Sequence, residues 1–280
     1  MSSTKPTLAF FGATGGCASA TLALALKAGY TVTALARTPS KLTTLLTSTH
    51  GIPQHVLDSN LTIVEGNIKD IATVKKTLVS KDGRIVDIIV SGIGGTPTLQ
   101  WSLLRPVTLT DPNICESAAA TILAALRELR QTRRDDPFQS QGEKGAQGPM
   151  YIAISTTGVS AKQRDVPFLI YPLYHWLLQV PHADKRAMEL VLIADASSTS
   201  PAIGDYAIVR PTLLTDGPAK GTETVRVGWE YPGEKHEEAE PAPGPALGYS
   251  VSRADVGAWI FEQLVEGKGK WGNKCVTLTY

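Results

Sequence analysis

Gly12, Gly15 and Ala18 recur at intervals of three, directly after a short apolar run that ends in Phe11 and directly before an alanine-rich segment. A strand that turns on glycines into a helix lets backbone N–H groups approach an anion closely, with the positive end of the helix dipole behind them. Thr14, Gly15 and Gly16 make the turn itself. The chemistry this arrangement suits is the holding of a dinucleotide by its phosphates. A tight turn with no ligand is the plainer alternative, and the flanking strand and helix weigh against it.

Further polar and glycine residues follow later apolar runs. Residues 31–36 end at Arg37, with Lys41 close behind and no acid between Ala36 and Lys41. A carboxylate at this place would hold ribose hydroxyls, whereas a guanidinium beside an ammonium suits an extra phosphate. The pattern therefore favours NADP (NADPH) over NAD, against the plain reading of two solvated charges at a helix start. Residues 61–65 lead to Gly66, Asn67 and Ile68, where Asn67 is placed to meet an adenine. Residues 84–91 end in Ser91 and are closed by Gly92, Ile93, Gly94 and Gly95, whose glycines allow a ligand to lie against the backbone. Ordinary turn chemistry is the alternative for both segments.

These groups need elements to position them. Helices are expected over 18–28, 40–46, 71–79, 117–130, 184–194 and 254–265. Strands are expected over 7–11, 31–36, 61–65, 84–91, 150–155 and 206–209, with 276–278 as a last one. Strands alternating with helices imply a parallel sheet covered on both faces, doubly wound by right-handed crossovers: a Rossmann-like α/β fold. Ligands bind at the carboxyl ends of such strands. That rule gathers the glycine turn, Arg37, Asn67, residues 91–95 and residues 155–158 on one rim.

A chain of 280 residues reads as a single nucleotide-binding domain over 1–280, with a substrate region drawn from about 160–182 and 213–250. The 42% hydrophobic and 19% charged composition is that of a soluble globular protein. A formal net charge of +1 argues against nucleic acid or an anionic membrane as partner. No stretch approaches the roughly 18 apolar residues of a membrane span. Cys17, Cys115 and Cys275 are too few and scattered for a disulfide framework or a zinc site, which fits a reducing, cytoplasmic setting and no bound metal. Residues 133–149 read as a surface insertion, and residues 229–248, rich in Pro, Gly and Glu, as a surface loop or a lid.

The chain also carries GATGGCA at 12–18, ALARTPSKL at 34–42, VEGNIKD at 64–70, VSGIGG at 90–95, ISTTG at 154–158, DKRAMEL at 184–190, VRPTLLTDGP at 209–218 and SRADVGAWI at 252–260. In these motifs and their order it resembles the NmrA-like, NAD(P)-binding branch of the atypical short-chain dehydrogenase/reductases. The resemblance implies a Rossmann-like core with a small C-terminal substrate region, usually NADP(H), and Pro211 beside the nicotinamide. It also implies a serine after the fifth strand, met by Ser155, and a Tyr-x-x-x-Lys pair whose lysine is Lys185. Pro181 stands where that tyrosine belongs.

Three groups are available to replace the missing phenol. His182 lies three residues before Lys185, on the same helix face, and titrates near neutrality. Tyr174, with Tyr171 beside it, lies upstream, and His175 is a further option. Each has a plain alternative, as do Lys185 and Ser155: His182 as a helix cap with Asp184, the tyrosines as core or pocket lining, Lys185 as a ligand of the cofactor ribose or a partner for Glu189, and Ser155 as a backbone ligand. Ser252 and Asp255 have the form of a capping box. The leading expectation is an NADP-dependent oxidoreductase acting on a small hydrophobic carbonyl, alcohol or enone. The other readings are a redox-neutral isomerase, dehydratase or cyclase on this scaffold, and a non-catalytic NADP-sensing regulator with a protein partner.

Overall fold

The computed structural model describes residues 5–102, 106–135, 148–232, 241–267 and 269–280. β1 (Leu8–Phe11) runs through the glycine turn into α1 (Gly16–Lys27), and β2 (Val32–Ala36) follows. Next come α2 (Pro39–Thr44), prolonged by a wide turn at Leu45–Thr49, α3 (Gln54–Asn60), β3 (Leu61–Glu65), α4 (Ile71–Thr77) and β4 (Ile88–Ser91). A hairpin of β5 (Pro97–Leu99) and β6 (Val107–Leu109) precedes α5 (Ile114–Asp135). β7 (Met150–Ile154) leads to α6 (Tyr171–Leu177) and α7 (Gln179–Ala196). The last part holds β8 (Asp205–Pro211), β9 (Leu213–Thr215), β10 (Arg226–Glu230), β11 (Ser250–Ser252), α8 (Arg253–Ile260) and β12 (Lys274–Thr279).

Eight strands make one sheet in the order β10-β12-β8-β7-β4-β1-β2-β3. Every neighbouring pair in it is parallel except β10 with β12. The chain order reverses between β1 and β4, the point at which a doubly wound sheet opens a crevice for ligands. Strand side chains alternate between two cores. Leu8 and Phe10 join α1, α3 and α8 on one face, while Ala9 and Phe11 join α4, α5 and α7 on the other. Both faces are covered, so β1 is apolar throughout rather than alternating. The sheet is the Rossmann-like arrangement that the sequence implies.

Several boundaries move. α5 starts at Ile114 and continues to Asp135, so Arg133 is not surface insertion but a buried helical residue whose guanidinium donates to the Gly83 carbonyl. The expected insertion otherwise falls on 136–147, outside the described residues. α7 begins five residues earlier than expected, at Gln179, and takes Pro181 into its first turn, where a missing N–H breaks no helical bond. Trp229 and Glu230 belong to β10 rather than to a loop, and residues 233–240 lie outside the described set. α3, α6, the β5–β6 hairpin, β10 and the short β9–β11 pair carry too weak a local pattern to be read beforehand.

Candidate active site

A cleft of about 790 Å³ opens at the carboxyl ends of β1, β2, β3 and β4. Gly12, Thr14, Gly15, Arg37, Lys41, Asn67, Ile68, Gly92 and Gly94 all line it. Gly12 has φ +71°, and a Cβ there would stand 2.6 Å from the Gly92 carbonyl carbon. Only glycine fits where the two loops meet. Gly15 closes the turn by donating to the Gly12 carbonyl at 2.9 Å and offers no side chain to cap α1, which leaves first-turn N–H groups for an anion. The exposed side chains of Arg37 and Lys41 are engaged by no other described residue. Asn67 accepts from the Lys69 N–H at 3.1 Å through its carbonyl oxygen, an Asx turn that leaves its amide N–H groups for the cleft. This glycine cradle and the cationic pair beside it fit the phosphates of a nicotinamide dinucleotide.

Four more expected residues border this region without contributing to the lining of the cleft. Gly16 opens α1, and a Cβ there would meet the Arg253 side chain. Ser91 is buried at the end of β4 beneath the cleft floor, and Pro211 is buried in β8, its carbonyl accepting from the Thr157 N–H at 3.1 Å. Lys185 reaches across from α7 and donates to the carbonyls of Ile93 at 2.8 Å and Ile154 at 2.7 Å. It thereby ties the loop after β4 to the end of β7 and keeps one ammonium proton for another acceptor.

Tyr174, on α6, places its hydroxyl 3.4 Å from the hydroxyls of both Thr156 and Thr157, just beyond β7. The His182 ring lies 5.1 Å from the Tyr174 ring and 5.5 Å from that of His175. His182 does not cap its helix. Its ring nitrogens meet no partner among the described residues, and burial, with a smaller push from His175, lowers its pKa to about 4. Asp184 instead accepts from the backbone N–H groups of Cys115 and Glu116 and so caps α5.

A family model described as NAD(P)H-binding matches residues 12–133. The chain is 45% identical to Reductase pytE of Aspergillus terreus, with 100% of each chain covered. It is 41% identical to Oxidase pynE of Aspergillus niger, covering 98% of this chain and 99% of that one. The chain belongs to the NmrA-like, NAD(P)-binding branch of the atypical short-chain dehydrogenase/reductases. Its fold is similar to that of ChuY, an anaerobilin reductase from Escherichia coli O157:H7, at 19% identity over 98% of this chain and 96% of that one, with a TM-score of 0.58.

Within this short-chain dehydrogenase/reductase scaffold the expected serine has an inward role. Ser155 is buried and donates to Glu189 at 2.5 Å instead of pointing over the cleft. Glu189 receives Arg210 through two bonds, of 3.0 and 2.6 Å, and Arg210 also donates to Glu230. Ser160 donates to Glu230 at 2.8 Å. Burial opposes the Arg210 charge, but the carboxylates around it outweigh that penalty, and its pKa is raised. The sequence reading offered Glu189 only as a partner for Lys185, which bonds two carbonyls instead, and it missed Glu230, far off along the chain. A buried arginine inside β8 demands carboxylate partners, and that was the available signal.

Ser252 and Asp255 also share less than a full capping box. Ser252 caps α8 by accepting from the Asp255 N–H at 2.9 Å. The Asp255 carboxylate accepts from the Ser252 hydroxyl at 2.7 Å, from the Lys220 and Gly221 N–H groups and from the Tyr280 hydroxyl, while the Ser252 N–H donates to that same phenol oxygen at 3.2 Å.

Proposed function

We propose that this chain is an NADP(H)-dependent oxidoreductase acting on a small hydrophobic carbonyl, alcohol or enone, with Tyr174 handling the proton. The observation that carries the reading is the place of the Tyr174 hydroxyl, beside Thr156 and Thr157 at the carboxyl end of β7. It brings a phenol to the rim that Lys185 also reaches, although α7 carries Pro181 at the usual tyrosine position. The two close relatives are named as a reductase and an oxidase, which supports redox chemistry over isomerisation, dehydration or a purely regulatory role.

When bound, the nicotinamide supplies or accepts a hydride. Gly12, Thr14 and Gly15 hold the pyrophosphate, Arg37 and Lys41 the additional phosphate, and Asn67 with Ile68 the adenine. Lys185, fixed by two carbonyls, offers its remaining proton to a ribose hydroxyl. Thr156 and Thr157 align the Tyr174 hydroxyl, which gives a proton to a carbonyl oxygen in reduction and takes it back in oxidation. Hydrogen bonds of this kind are often long in the free enzyme and tighten on the substrate.

Tyr174→Phe tests the assignment. The variant is expected to bind NADPH as the wild type does and to lose about 10²–10⁴-fold in kcat on a panel of carbonyls and enones. Wild-type turnover by Tyr174→Phe overturns the proton role, and a wild-type protein that binds NADPH without turning over any of the panel overturns the enzymatic reading.

A further inference from the structure

A second cavity, of about 430 Å³, lies between the Gly158–Val159 segment and helices α6 and α7. Its volume is that of a small-molecule pocket. Val159, His175, Trp176, His182, Ala183 and Arg186 form much of its wall. Gly158 has φ +89°, and a Cβ there would stand 2.6 Å from His182 Cε1 and 2.9 Å from Tyr174 Cε1. The backbone just beyond β7 is thus pressed against the two rings, and the cavity shares this wall with the proposed proton donor.

His182 decides what the cavity holds. The residue is only 7% exposed, and both ring nitrogens are buried with no hydrogen-bond partner. His175 Nε2 is in the same condition. A neutral imidazole carries one donor and one acceptor, and buried groups of this kind are normally paired. Among the described residues no carboxylate lines the cavity, and Arg186 on its wall donates one of its N–H groups to the Val159 carbonyl at 3.0 Å. The ring at the buried end is held in its uncharged form by its surroundings. A ring without charge brings no attraction of its own for an anion, so an uncharged polar group is the simplest partner for it. Beside the polar Gln179 and Arg186, the wall offers the apolar surfaces of Val159, Ala183 and Trp176, and Trp176 stays 40% exposed. An apolar ligand body would cover the indole.

We infer that this cavity is the substrate pocket and takes an uncharged carbonyl compound with an apolar body, whose oxygen is hydrogen-bonded by His182 next to Tyr174. This assignment rests on the redox reading for the claim that the ligand is a substrate, and on the cavity alone for the claim that it binds.

The full-length protein, labelled with ¹⁵N in histidine, is titrated with trans-4-phenyl-3-buten-2-one and separately with trans-cinnamate, which has the same shape and a carboxylate. The enone is expected to shift the imidazole nitrogen resonances that vanish in His182→Phe. Its affinity should fall about tenfold in His182→Phe, the value of one hydrogen bond, and cinnamate should bind the wild type at least as weakly. Ala183→Trp, a change on an exposed helix position, fills the cavity and should block the enone even if His182→Phe folds poorly. Unmoved nitrogen resonances, equal enone affinity in wild type and Ala183→Trp, or tighter binding of cinnamate overturns the pocket. NADPH oxidation separates the two readings. Enone binding of the expected pattern without turnover overturns the redox reading and leaves the pocket. Turnover with an unchanged KM in a folded His182→Phe overturns the pocket and leaves the redox reading.

Discussion

The Ser155 hydroxyl donates to the Glu189 carboxylate at 2.5 Å, and both side chains are buried. The serine therefore helps neutralise a buried acid that also receives Arg210. The network joins β7, α7, β8 and β10, the elements behind the rim on which Tyr174 stands.

Breaking this network should be felt in stability first. Glu189→Ala leaves Arg210 half-paired and Ser155 without its acceptor, and is expected to destabilise the protein by about 3–5 kcal/mol. Ser155→Ala removes one bond to a charged acceptor, a loss of about 1.5–3 kcal/mol, with NADPH affinity unchanged. Urea unfolding followed by circular dichroism measures both. A Ser155→Ala variant of wild-type stability that has lost turnover would place the serine at the substrate instead.

Gly12→Ala should abolish nucleotide binding. The added methyl meets the Gly92 backbone at 2.6 Å, and the residue must hold φ +71°. The conformational strain alone is about 1–3 kcal/mol, and the turn must shift to relieve the clash. Calorimetric titration with NADPH is expected to show no heat of binding in a variant that still melts cooperatively.

Arg37→Ala should separate the two nicotinamide cofactors. Losing a charge-assisted bond to phosphate amounts to about 2 kcal/mol, or roughly thirtyfold in NADPH affinity. NADH, which lacks the phosphate, should bind the variant and the wild type alike. Parallel titrations with both nucleotides decide this, and an equal loss for both would assign Arg37 to a part the cofactors share.

Acid should destabilise the fold through His182. Its pKa falls from 6.5 to about 4, chiefly because it is buried and secondarily because His175 is near. Between those values the unfolded chain binds a proton that the native protein refuses. The stability tied to the neutral ring is complete above pH 6.5 and is lost as pH drops toward 4, by about 3 kcal/mol in all. Urea midpoints taken across this range should slope in the wild type and slope less in His182→Phe.

Much of the cofactor cleft was legible in the chain. The spacing of Gly12 and Gly15 after an apolar run, and of Arg37, Asn67 and Gly92 after later ones, follows from local geometry: each sits at the end of its own strand. The apolar strands also revealed a sheet covered on both faces, because a strand buried on two sides loses its alternation. The boundaries around Pro181 were harder to read. Proline usually interrupts a helix, yet in a first turn it breaks nothing.

What the sequence by itself determined is thus the nucleotide-binding scaffold and the absence of a tyrosine four residues before Lys185. Tertiary structure decided which way the remaining chemical groups point. Ser155 and Glu189 are 34 positions apart, and Lys185 and Ile93 are 92 apart. Whether Ser155 faces the cleft or a buried acid, and whether His182 is a cap or an unpartnered imidazole, depends on what folding places around it. Burial and long-range partners set the energy of a polar side chain, and no local pattern in the chain encodes them.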